Sequence, residues 1–343
     1  MLRFIFIIFL FAISGGIIAQ NSNENQLKPK KEDFLWIQKV LDNWNYTCLN
    51  DLKIAIKPLP WIIFYDSSSA WHLNADQSML PSFTKTNDSV TFAGVWYQLV
   101  RVNHQKGIWV PDRKPVPLES VLVSTMPYAG DTKTFFIAPL PSLFHKLAQA
   151  SGQEQFVDFI FLGGNIHELT HTRQLPFVLP QLLKLQKASR RESLNDNTVE
   201  NEFSKDERYK QLFSEENRHL WNAAFAISVD SCRIEIEQAF KLRQIRMREF
   251  FTGANQPLGE ADEIFLSLEG SAMWAQYRIM FKNTPNPISR ELLSWIVQQA
   301  GAWSQERGLV MFLLIDKFDS NWKALFFENQ LPNATDYLQD LLK

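Results

Sequence analysis

The chain has 343 residues, 45% of them hydrophobic and 13% aromatic, enough apolar material for one large domain or two ordinary ones. Its 35 basic and 37 acidic residues leave a formal net charge of −2. That balance lacks the basic excess of a nucleic-acid-binding surface, and no single-sign run is long enough to form a charged tail.

Residues 1–19 have the parts of a signal peptide. Arg3 is a short positive start, Phe4 to Ile13 an apolar run, Ser14-Gly15-Gly16 a break and Ile17-Ile18-Ala19 a cleavage site. The run is shorter than the roughly 20 residues of a membrane-spanning helix. Cleavage is therefore expected, with no stable membrane span afterwards and a periplasmic or secreted location. Residues 20–32 are polar and read as a disordered leader.

Residues 33–150 form a β-rich N-terminal part. It opens with a helix, because Phe34, Ile37, Val40, Leu41 and Trp44 recur at helical spacing. Trp61–Tyr65, Ser89–Val100, Gly107–Val110, Ser120–Ser124 and Lys133–Ile137 are β-branched and aromatic, separated by Pro, Gly and Asp, and read as strands. Together they predict a twisted, mostly antiparallel sheet over residues 50–140, with 133–137 as its edge. Pro139 and Pro141 then lead into a helix carrying Leu143, Leu147 and Ala150.

Residues 151–343 read as almost entirely helical. An apolar run (Phe156, Val157, Phe159 to Leu162) precedes Gly163-Gly164-Asn165-Ile166-His167-Glu168-Leu169-Thr170-His171, and so predicts a buried helix. Gly163 and Gly164 mark either a close approach of another segment or a break before a helix starting near Asn165; Pro176 and Pro180 are expected to end that helix. Residues 187–210 are charged, either a lid over a cleft or an ordinary solvated helix pair. Residues 214–251 suit one long helix or two with a break, capped by Ser214, with Leu220, Ala223, Ala224, Ile227, Ile234, Ala239, Phe240 and Leu242 as the apolar side. Arg243 and Arg246 share a face, to hold a carboxylate near a site or to make surface salt bridges. A helix over 259–282 carries Glu260, Glu263, Glu269, Trp274 and Tyr277. Helices over 288–303 and 308–318, with Trp295, Trp303 and Trp322, supply bulk. Cys48 and Cys232 form either one disulfide or two buried free thiols.

The chemistry is concentrated in His167-Glu168-Leu169-Thr170-His171. On a helix, positions i and i+4 lie on one face, so both imidazoles can reach one metal ion while Glu168 is turned about 100° away. Zinc lowers the pKa of a bound water to about 7, and a neighbouring carboxylate can take the proton. Zinc needs a third protein ligand. Glu269 is the foremost downstream candidate, with Glu216, Glu263 and Glu202 as rivals. Tyr277 and His219 are the candidate donors to a developing oxyanion.

The two-histidine motif, with a later Glu269 followed by Gly270, Ser271 and Ala272, resembles the gluzincin branch of zinc metallopeptidases. The resemblance covers these two helices. It implies an α+β protein with a zincin-like core, one Zn2+ ion held by His167, His171 and Glu269, Glu168 as general base and a peptide or protein substrate. An edge strand beside the metal helix would pair with that substrate. The competing expectation is a non-catalytic cell-envelope binding module that keeps a zincin fold.

Overall fold

A computed structural model describes residues 29–104, 107–111, 115–117, 123–128, 131–151, 157–282, 302–328 and 330–343. The expected signal peptide, most of the expected leader, residues 120–122 of one expected strand and the expected helix over 288–301 with Trp295 lie outside the described residues. The architecture is α+β: a sheet formed by the N-terminal part, followed by a largely helical half. Among the described residues, no helix is long and apolar enough to cross a membrane.

The described residues fall into two compact units. One takes the chain up to Leu175 together with Ala275–Lys282; the other takes Pro176–Trp274 and the segment from 302 onward.

The first unit begins with α1 (Lys31–Tyr46), which buries Ile37, Val40, Leu41 and Trp44 of the predicted stripe and also Trp36, while Phe34 is half-buried. The strands are β1 (Trp61–Tyr65), β2 (Ser69–Leu73), β3 (Thr84–Phe92), β4 (Val95–Asn103), β5 (Gly107–Ile108), β6 (Val116–Pro117), β7 (Ser124–Pro127) and β8 (Thr134–Pro139). Six of them form one sheet in the order β3-β4-β2-β1-β8-β7, and β5 pairs with β6 separately. Only the β1–β8 pairing in the larger sheet is parallel; β1–β2, β2–β4, β3–β4 and β7–β8 are antiparallel.

Three strand expectations change. The stretch Ser89–Val100 is the heart of a hairpin, not one strand, because the chain turns at Ala93 and Gly94, both at positive φ (50° and 80°). Two successive positive-φ residues suit the turn that matches strand twist, but Ala-Gly is a weaker signal for it than Asn-Gly. Of the strand placed at 120–124, the described Val123 is not in a strand, and Ser124 opens one that runs on to Pro127. The strand at 133–137 is not an edge: β8 lies between β1 and β7, and β7 is the edge on that side. The opposite edge, β3, is partly covered, since Gln38 of α1 donates from Nε2 to Thr91 O at 2.9 Å and accepts from Thr91 N at 3.0 Å.

Strand parity divides the side chains. Trp61, Ile63, Tyr65, Phe135, Ile137 and Met126 share one face and join a single buried cluster. Ile62, Phe64, Phe136 and Thr125 lie on the other. The helices of this unit include α2 (Pro141–Ser151) and the first part of α3 (Val157–Ala188). Phe144 of α2 stacks on Phe161 of α3 with ring centres 4.2 Å apart, and meets Trp36 of α1 edge-on at 5.2 Å.

α3 passes through both prolines that were expected to end it. Each proline removes one helical hydrogen bond, normally a cost of about 3 kcal/mol. Pro176 and Pro180 are both exposed and one turn apart, so the interruptions fall on the solvent side, while Leu175, Val178, Leu179 and Leu182 stay buried. Burial of that apolar side keeps the helix continuous.

The second unit is helical: α4 (Thr198–Phe203), α5 (Glu207–Ala224), α6 (Val229–Phe250), most of α7 (Gln256–Phe281), α8 (Trp303–Phe318), α9 (Lys323–Phe327) and α10 (Ala334–Leu341). The segment 214–251 is two helices, with a break at 225–228. The caps are Asp206, which accepts from Tyr209 N at 2.9 Å, and Ser228, which accepts from Ser231 N at 3.1 Å; Ser214 is not one. Ile227 and Ile234, expected on the apolar side, are exposed, Ile227 completely. The connection after α3 is no free surface loop, because Leu194, Asp196, Thr198 and Val199 are buried.

Candidate metal centre

His167, Glu168 and His171 stand on consecutive turns of α3 with none of their surface exposed. The helix forms here because its flanks are apolar, with Phe161, Ile166 and Leu169 buried around the motif. Gly163 answers to a close approach rather than a break. A Cβ there would lie 2.6 Å from Met280 Sδ and 3.1 Å from Gln276 Cγ, so the last turns of α7 press on α3 at that point. The approaching atoms belong to side chains.

The His167 and His171 Nε2 atoms are 2.9 Å apart, and the rings are nearly perpendicular, at 81°. One ligand atom from each of His167, Glu168 and His171 lies within 4.8 Å of the other two. Two nitrogens about 2.0–2.1 Å from a tetrahedral zinc would stand about 3.3 Å apart. The observed pair is therefore close to ligand spacing. The same contact is a hydrogen bond when one ring carries its proton on Nε2. The pair of buried imidazoles is a donor set that suits zinc.

Glu168 is held from the sheet. Its Oε2 accepts the Thr125 backbone N–H at 2.6 Å, and its backbone oxygen accepts the Thr125 hydroxyl at 2.5 Å. No local pattern around Thr125 announces this; the contact depends on the β7–β8 pairing.

The carboxylates proposed as the third ligand have different surroundings, all within the second unit. Glu202 pairs with Arg191 at 2.5 Å. Glu216 receives Arg246 in a two-point pair, Nε at 2.9 Å and Nη2 at 3.2 Å. Glu263 pairs closely with Arg243. Each rival thus serves an arginine. Glu269 is fully buried on α7 and accepts a hydrogen bond from Gln305 Nε2 at 3.2 Å. Burial, then the nearby Glu269 charge, pushes the Asp196 carboxyl well above the ordinary carboxylate range. Asp196 and Gln305 were not singled out from sequence; both lie far from Glu269 along the chain, and neither type is distinctive.

Of the oxyanion candidates, His219 is committed to a pair, with Nδ1 2.6 Å from Glu235 and Nε2 3.1 Å from Arg218. Tyr277 is half-buried against Phe281 at 5.8 Å. Arg246 is not part of a surface pair. It is wholly buried among Glu216, Asp262 and Tyr209. Cys48 and Cys232 are free, buried thiols, not a disulfide, and burial pushes the Cys48 thiol up to about 12.

Comparison of the chain with protein-family models, with curated proteins and with solved structures finds no match.

Proposed function

We propose that the chain is an exported zinc-dependent metallopeptidase. The observation that carries this reading is the pair of imidazole Nε2 atoms 2.9 Å apart beside the Glu168 carboxylate, all on one buried helix. His167 and His171 hold the ion; the sequence resemblance assigns the third ligand to Glu269. The ion supplies Lewis acidity toward a carbonyl and toward water. Glu168 then does the proton work: its carboxylate accepts a proton from the attacking water and passes it to the leaving amine. Burial keeps bulk water away from that transfer.

Complete burial of all three groups also favours a second reading, a non-catalytic cell-envelope module with a structural ion. One variant separates the two. Glu168→Gln keeps the shape and the histidines but has no base. The peptidase reading expects one zinc per chain retained and hydrolysis of labelled casein reduced about 10²–10⁴-fold. Undiminished hydrolysis sinks it, and zinc bound without hydrolysis by the unaltered chain favours the structural module.

A further inference from the structure

We infer that Thr125 is a positioning residue for Glu168; the inference rests on the peptidase reading for its functional meaning, but its geometry lies wholly within the sheet-bearing unit.

The antiparallel register sets the arrangement. In such a ladder, alternate residues turn both backbone groups toward the partner strand or away from it. Among the described residues β7 has a ladder partner on one side only, β8, with Thr125 opposite Phe136. Thr125 N–H goes to Glu168 Oε2 at 2.6 Å, so Thr125 is an outward-turned residue of an edge strand. An outward N–H would otherwise need water or another strand. Here it is spent on the carboxylate beside the two histidines.

The second contact fixes the helix rather than the side chain. Thr125 Oγ1 donates to Glu168 O at 2.5 Å. A mid-helix carbonyl already accepts the amide four residues on, and its second lone pair takes the hydroxyl. One residue of the sheet therefore grips Glu168 at two points, main chain and carboxylate. The amide–carboxylate bond is charge-assisted and removes rotamer freedom from the base. Threonine suits the task because branching at Cβ stiffens χ1, so the hydroxyl is held in register without further support. Displacing a reacting group by about 1 Å can cost about 10²-fold in rate. A clasp of this kind protects against that displacement.

The test uses the zinc-loaded full chain and fluorescein-labelled casein. Thr125→Val removes the hydroxyl and keeps the amide and the branched shape; Thr125→Ser keeps both donors. The expected result is a fall of about tenfold in kcat for the valine variant, with KM within about twofold and one zinc per chain, and recovery of most of the rate in the serine variant. A valine variant with unaltered kcat overturns the inference. So does a loss of rate that merely follows loss of zinc, since that is a structural role. A second measurement needs no turnover. Hydrogen exchange at the Thr125 amide should quicken about tenfold in Glu168→Ala, because the acceptor is gone; unchanged exchange overturns the clasp. A zinc-loaded wild type that leaves casein intact counts against the peptidase reading alone, and the exchange comparison still decides the clasp.

Discussion

Gly270 and Gly308 meet through their backbones. A Cβ built on Gly270 would lie 2.6 Å from Gly308 O, and one on Gly308 would lie 2.5 Å from Gly270 Cα. The crossing of α7 and α8 is therefore set at a separation that only two glycines allow, one residue beyond Glu269 and one turn beyond Gln305. Gly270→Ala and Gly308→Ala should each destabilise the protein by about 1–3 kcal/mol, because the obstacles are backbone atoms that cannot rotate aside. Urea unfolding midpoints measure this; an unchanged midpoint for either variant would show that the helices part freely.

Arg246 should be among the least replaceable residues of the helical unit. It is fully buried, bonds Glu216 at two points and donates to Tyr209 Oη at 2.7 Å. Removing it leaves two buried carboxylates, Glu216 and Asp262, sharing Arg307, a cost of about 3–5 kcal/mol. Arg191, in a partly exposed pair with Glu202, offers the contrast, and Arg191→Met should cost no more than about 1 kcal/mol. Equal losses in the two variants would contradict the distinction.

Asp262 should shape stability in acid. Burial alone pushes its carboxyl up, but the Arg307 and Arg246 guanidiniums outweigh burial and hold it below the ordinary value of 3.8. A depressed pKa in the folded state means stability that is fully present above the unfolded value and lost as pH falls from there through the folded one. The wild type should therefore lose stability steeply below about pH 4. Asp262→Asn should be less stable at pH 7 and show a shallower loss between pH 4 and pH 3. Parallel slopes in the two proteins would remove Asp262 from the account.

Excess zinc should raise the thermal midpoint, since a ligand bound only by the folded chain at about 100 times its Kd adds about 2.7 kcal/mol. His171→Ala should abolish that rise, because it removes one of the paired imidazoles. A zinc-dependent rise that survives in the variant would place the ion elsewhere.

The α+β order and the helix carrying the two histidines were legible because their signals are local. Ile37, Val40, Leu41 and Trp44 repeat at helical spacing, and two histidines four apart share a face in any helix. What escaped was set by distance along the chain. β8 is interior because it pairs with β1 as well as with β7, and the Thr125 N–H turns to Glu168 because β7 is the edge. The prolines misled for a different reason. Pro176 and Pro180 carry a strong local stop signal, and burial of the opposite side of the helix overrides it. Likewise Ile227 has an apolar side chain at a plausible helical position, but the break between α5 and α6 leaves it fully exposed.

The parallel pairing of β1 with β8 has a consequence for how the chain reaches its working form. β1–β2 and β3–β4 are contacts between near neighbours in sequence, whereas Trp61 must find Phe135 across the whole intervening β-rich segment. Closing so long a loop is entropically slow, and pairings of this kind form late. Among the described residues β7 pairs with β8 alone, so the strand that grips Glu168 joins the rest of the sheet only through that closure. A nascent or partly folded chain thus carries the two histidines on a local helix before the hairpin that grips Glu168 is tied to the rest of the sheet.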